Sequence, residues 1–204
     1  MFRDRQDPAN KLAQALDHYR GRRPLVLAIP RGAVPMGKIV AEALDGELDV
    51  VLVRKLRAPG NPEFAIGSVD ETGWTYLSGY ASQMPGKYLE DEKAAQIEVM
   101  RERRASYTPI RAPIDPEGRI VIVIDDGLAT GSTMIAALHA LRAKHPEKLV
   151  CAVPVAPADT LEKIAPYADE VVCLETPDPF YAVGQFYQSF SQVEDEEVIE
   201  LLRQ

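Results

Sequence analysis

Apolar residues fall along this chain in short solid blocks, with stretches of helical spacing between them. Residues 25–29 form a continuous apolar run closed by Pro30, the length of a buried strand. Residues 34–44 follow with helical spacing and end near Gly46. Residues 50–53 make a second run, followed at once by Arg54-Lys55-Leu56-Arg57. The runs 64–69 and 74–77 flank Asp70-Glu71-Thr72-Gly73, which is turn chemistry, and predict a hairpin. The charged, periodic segment 87–106 predicts a long surface helix. Residues 111–118, with two prolines and a glycine, read as a loop.

Residues 120–124 give the strongest strand signal. A helix over 132–144, a strand over 149–155, a short helix over 158–164 and a strand over 171–174 continue the alternation, and 194–202 predicts a terminal helix. Strands alternating with helices of these lengths indicate an α/β fold with a mainly parallel central sheet flanked by helices. No repeat, low-complexity tract or long linker interrupts the chain. The expectation is therefore one domain over 1–204, with 79–118 as an insertion or flap and 175–204 as a small hood and C-terminal helix.

Composition narrows the function classes. The chain has 204 residues, 46% hydrophobic and 26% charged, which excludes global disorder. The net charge of −8 argues against binding nucleic acid or an anionic membrane through a basic face. Residues 1–5 are charged rather than apolar, and no stretch approaches the ~18 apolar residues of a membrane span. The sequence thus predicts a cytoplasmic protein. Cys151 and Cys173 lie in apolar runs and read as buried reduced thiols. The charge is uneven: residues 151–204 hold eleven Asp/Glu and two Lys/Arg, while 22–57 hold seven Lys/Arg and four Asp/Glu. An acidic chain with a basic segment leaves room for a small polyanionic ligand.

Residues 121–133, Val-Ile-Val-Ile-Asp-Asp-Gly-Leu-Ala-Thr-Gly-Ser-Thr, carry the most chemistry. They read as a buried strand, two carboxylates, a loop of small and hydroxyl residues, and a helix start. Ligands of parallel sheets bind at the carboxyl ends of strands. Gly127 and Gly131 permit turns closed to other residues, and amides of 129–133 at a helix N-terminus favour an anion. Thr130, Ser132 and Thr133 add hydroxyl donors. Asp125 and Asp126 would repel that anion, and suit sugar hydroxyls or a divalent cation held through water. A phosphate beside a diol describes a ribose 5-phosphate.

This segment resembles the signature of the type I phosphoribosyltransferases throughout its length. The resemblance implies their fold, with a hood and a flexible loop. It implies Mg²⁺-dependent transfer of 5-phosphoribosyl from phosphoribosyl pyrophosphate to a nitrogenous base. Asp125 and Asp126 are then the catalytic acids that contact the ribose, with Mg²⁺ held through water. Gly127, Leu128, Ala129, Thr130, Gly131, Ser132 and Thr133 take the 5-phosphate. Arg31 and Gly32, in the turn after the first strand, and Arg54 with Lys55, after the second, take the pyrophosphate. Residues 59–73 are the lid candidate.

Residues 180–190 hold five aromatics after Pro177-Asp178-Pro179, and Val183-Gly184 strengthens a likeness to the hood of hypoxanthine-guanine members. Phe180 or Tyr181 is then the ring that stacks on an acceptor base. Ala129 departs from the Asp that those members carry near the base. The family also contains regulatory proteins that keep this loop, so a non-catalytic binder of phosphoribosyl pyrophosphate or of a nucleotide is the alternative. It admits a homodimer as well. A P-loop reading of Gly32-Ala33-Val34-Pro35-Met36-Gly37-Lys38 fails on Ile39, which lacks the metal-binding hydroxyl, and on Pro35, which removes an amide. His18, His139 and His145 have neither metal-site spacing nor a nucleophile beside them.

Overall fold

The structure, a computed structural model, describes residues 1–204. Its first half runs α1 (Gln6–Ala15), β1 (Leu25–Ala28), α2 (Val34–Ala43), β2 (Glu47–Val50), β3 (Val53–Ala58), β4 (Asn61–Asp70), β5 (Thr75–Leu77) and α3 (Gly86–Tyr107). The second half runs β6 (Ile120–Ile124), α4 (Ser132–Arg142), β7 (Lys148–Val155), α5 (Ala158–Ile164), β8 (Glu170–Glu175) and α6 (Asp195–Arg203). A five-stranded sheet in the order β2-β1-β6-β7-β8 is parallel throughout. The strands β3-β4-β5 form a separate antiparallel sheet.

The solid apolar runs have a direct cause: the central sheet is covered on both faces. Ile120, Ile122 and Ile124 of β6 pack with Leu12, Met36 and Val40 in one core cluster. Val121 and Val123, pointing the other way, pack with Met134, Ile135 and Leu138 in a second. Helices α1 and α2 therefore cover one face and α4 and α5 the other, and Cys151 sits buried in the second layer. Cys173, read as buried, is only half-buried. No helix is long and apolar enough to cross a membrane.

Two expectations need correction. The run 50–53 is not one strand: β2 ends at Val50, and Val53 opens β3 in the other sheet. Arg54 and Lys55 therefore lie within a strand of the small sheet rather than after a strand of the central one. The 59–73 segment is not a lid as a whole. Ala65–Asp70 is buried and paired with β3 on one side, and in part with β5 on the other, so only its outer tip is free to project. From Val34 onward the rejected P-loop segment is the start of α2, with Gly37 packed against Leu48 and Ala28 inside the helix.

The small sheet is in contact with α4 and α3. Trp74, the only tryptophan, stacks on His139 of α4 with ring centroids 3.7 Å apart and planes 7° from parallel. Ser68 in β4 is buried and donates to the Ser132 carbonyl at 2.6 Å, tying the sheet to the first residue of α4. At the other end, Phe2 and Tyr187 form a parallel bridge, and the Phe2 amide donates to the Phe186 carbonyl at 2.7 Å. The N-terminal residues thus fasten the 180–190 segment to the body.

Candidate active site

β1 and β6 are neighbours in the sheet, and the chain leaves them toward opposite faces, into α2 and α4. Open parallel sheets bind ligands at such a switch point, beyond the carboxyl ends of the strands. A cleft of about 780 Å³ opens there. Arg31 and Gly32 line it from the turn after β1, where the Pro30–Arg31 peptide is cis. Residues 125–133 line it from the β6 side, and Arg54 and Lys55 from the small sheet.

The loop into α4 is held from behind. The Leu128 amide donates to the Val155 carbonyl at 2.9 Å, and the Leu128 side chain is buried in the core. Thr160 Oγ1 donates to the Ala129 carbonyl at 2.7 Å. Gly131 takes φ +80°, and a Cβ there would lie 2.9 Å from Thr160 Cγ2. These contacts leave the amides of Ala129, Thr130, Gly131, Thr133 and Met134 without an acceptor in the chain. Unpaired amides at a helix N-terminus are an anion site. The hydroxyls of Thr130 and Ser132 lie 3.1 Å apart at the same place.

Asp125 and Asp126 stand at the end of β6, half-buried. Burial, then the neighbouring Asp126 charge, raises the Asp125 carboxyl well above its ordinary range. Burial also raises Asp126, against the opposing pull of Arg5. Arg5 is a residue that the sequence reading missed. Its guanidinium reaches Asp126 Oδ2 at 3.2 Å, donates to the Ser191 carbonyl at 2.6 Å, and lies 4.2 Å from the centre of the Phe190 ring. Gly32 is packed so closely here that a Cβ would run into the Asp126 carboxylate.

The remaining predicted residues divide. Tyr181 lines the cleft and is 81% exposed, whereas Phe180 packs on Phe186 at 4.8 Å and does not face the cleft. Arg31 has Glu194 and Asp195 at 3.7 Å. Arg57 lines the cleft too, but its guanidinium is taken by Glu92.

The chain matches the family model described as a phosphoribosyl transferase domain over residues 6–190. This chain belongs to the phosphoribosyl transferase domain family. Two strains of Mycobacterium tuberculosis carry a protein provisionally named a phosphoribosyl transferase, 40% identical over 205 residues. That alignment covers 99% of this chain and 46% of theirs, so the chain spans about half the length of the curated relatives it matches. A crystal structure of a Thermus thermophilus protein is 45% identical with a TM-score of 0.82, covering 99% of this chain and 97% of that one. A Neisseria gonorrhoeae protein solved with bound ppGpp has a TM-score of 0.56 at 12% identity, over 99% of this chain and 97% of that one, a likeness of fold.

Within this phosphoribosyl transferase domain, the donor set can be tested against Mg²⁺. No three His, Cys, Asp or Glu side chains are grouped so as to hold a metal ion between them. Mg²⁺ does not need such a cage: it keeps waters and takes one or two carboxylates together with substrate phosphate oxygens. Asp125 and Asp126 beside a cationic cleft fit that demand.

Tyr187 is the second residue missed as a site element, although it lies in the aromatic segment. Its buried hydroxyl donates to the Asp126 carbonyl at 2.7 Å. Tyr187→Phe leaves that carbonyl without its partner and is expected to cost about 1 kcal/mol, or roughly 2–4 °C in Tm, measured by thermal denaturation.

Proposed function

We propose that this domain transfers 5-phosphoribosyl from phosphoribosyl pyrophosphate to a nitrogenous base and releases pyrophosphate. The observation that carries this reading is the convergence, in one cleft, of unpaired amides at the start of α4, two carboxylates at the end of β6 and the cations Arg31, Arg54 and Lys55. A monophosphate fits the first, ribose hydroxyls the second and a diphosphate the third.

In the reaction, the bond from the ribose anomeric carbon to the diphosphate oxygen breaks, and the electron pair leaves with the diphosphate. The acceptor nitrogen supplies its lone pair to that carbon and gives up its proton to solvent water in the open cleft. Asp125 and Asp126 hold the ribose and stabilise the positive charge that develops on it. Arg31, Arg54 and Lys55 stabilise the charge gathering on the leaving group. Tyr181 is the exposed ring at the acceptor end. Mg²⁺, held through Asp125 and Asp126, would neutralise diphosphate charge when bound.

The test is incubation with phosphoribosyl pyrophosphate, Mg²⁺ and a panel of purine, pyrimidine and other nitrogen heterocycles, following pyrophosphate. Release that depends on one base supports transfer. Tight donor binding with no release across the panel supports a non-catalytic binding protein instead, and release without any acceptor supports a hydrolase.

A further inference from the structure

We propose that Arg103, on α3, completes a diphosphate-binding site with Arg31, Arg54 and Lys55. The inference rests on the donor reading above, and it extends the site into the 79–118 segment.

All four side chains line the same cleft. The Arg103 side chain is only 15% exposed and that of Arg31 24%. Neither guanidinium has a hydrogen-bond partner within the chain, and no nitrogen of either is sealed from solvent, so their N–H donors are free to meet a ligand in the cleft. The carboxylates nearest to them, Glu194 and Asp195, stand 3.7–3.8 Å away, beyond hydrogen-bond reach. Asp195 already accepts from the buried Tyr107 hydroxyl at 2.7 Å. It offsets the charge of both arginines without using their donors. Arg54 commits only its Nε, to Gln96 at 2.9 Å.

Like charges also crowd together here. Burial, followed by the charges of Arg103, Arg57 and Arg31, lowers the Arg54 guanidinium from its ordinary range. Arg57 is neutralised by Glu92, which leaves Arg31, Arg54 and Arg103 beside only Glu194 and Asp195, three guanidinium groups to two carboxylates, with most of their donors uncommitted. A guanidinium fork matches phosphate oxygens in pairs, and several forks around one point suit an anion with several oxygens and more than one charge. The monophosphate position at residues 129–133 is distinct, since backbone amides form it. The cluster is therefore suited to the diphosphate.

Calorimetric titration with phosphoribosyl pyrophosphate, inorganic pyrophosphate and ribose 5-phosphate, each with Mg²⁺, tests the role of Arg103. Arg103→Met is expected to weaken the first two by about tenfold or more and to leave ribose 5-phosphate within about twofold. Arg103→Lys, which keeps the charge without the fork, should fall between. If Arg103→Met does not fold, the lysine variant carries the comparison. Unchanged affinity for both diphosphates would overturn the proposal and leave the transferase reading intact. Equal weakening of all three ligands would overturn it as well, because the effect would not be local. If the wild-type chain bound no phosphoribosyl pyrophosphate, the transferase reading would fail. Pyrophosphate alone would then decide: binding weakened in Arg103→Met supports the anion site, and no binding overturns it.

Discussion

Asp125→Asn is expected to lower base-dependent pyrophosphate release by roughly 10²–10³-fold, the scale on which losing one charge-stabilising contact in a transition state acts. The same substitution is expected to raise Tm. The Asp125 carboxyl is half-buried beside a second carboxylate, and the folded chain holds its proton more tightly than the unfolded chain does. The stability that protonation contributes is complete below the ordinary value of 3.8 and is lost as pH rises through the elevated folded value. Asparagine has no charge to bury, so the variant gains at neutral pH by about 2–4 °C for each kcal/mol recovered, and the gain shrinks toward pH 4. Its amide oxygen can still accept from the Asp126 amide, now at 2.9 Å. Asp126→Asn should lose activity as well but gain less in Tm, because the ion pair with Arg5, whose side chain is 13% exposed, offsets part of the cost of burying its charge. Turnover assays and thermal melts between pH 4 and 8 check both shifts. Unchanged turnover in the double variant would remove the acid pair from the reaction.

Gly131→Ala is expected to cost about 2 kcal/mol, lowering Tm by roughly 4–8 °C, and to weaken donor binding by at least about tenfold. Two effects combine. The residue sits at φ +80°, which penalises any Cβ, and that Cβ would press on Thr160 Cγ2 at 2.9 Å and Ile164 Cδ1 at 3.3 Å. Thr160 cannot yield freely, because its hydroxyl holds the Ala129 carbonyl. Relief must come from the loop itself, which shifts the free amides that would bind the phosphate. Gly118→Ala is the control: φ is +68° and no atom lies within 4 Å of the added Cβ. It should lower Tm by about half as much and leave donor affinity unchanged.

The 121–133 segment was legible in the sequence because its determinants are local. A strand buried on both faces must be apolar at every position, and the loop after it needs small and hydroxyl residues in a fixed order. The central alternation of strands and helices was legible for the same reason. Three features were not. The junction of β2 and β3 has no glycine or proline at Val51-Leu52, so four apolar residues read as one strand although the chain changes sheets there. The hairpin of β4 with β5 was legible from runs 64–69 and 74–77, but Pro59 and Gly60 read as the start of a lid and hid the pairing of β4 with β3. Arg5 meets Asp126 across 121 positions, and Arg103 reaches the cleft from a helix whose neighbours Arg101 and Arg104 point elsewhere, to Glu98 and Glu71. Such partnerships arise from packing, and nothing in the charged segments around these arginines marks them.

The stack of Trp74 on His139 gives the chain a built-in optical reporter. A single indole means that all tryptophan emission comes from this one place. His139 lies seven residues, about two turns, along α4 from Ser132. His139 and the proposed phosphate loop thus lie toward opposite ends of one short helix, while the indole that stacks on His139 belongs to the hairpin. Any ligand that moves α4 relative to the hairpin must change ring overlap, and with it quenching. Titration of the unlabelled protein with phosphoribosyl pyrophosphate, followed at the tryptophan emission, is the measurement that reads such a movement.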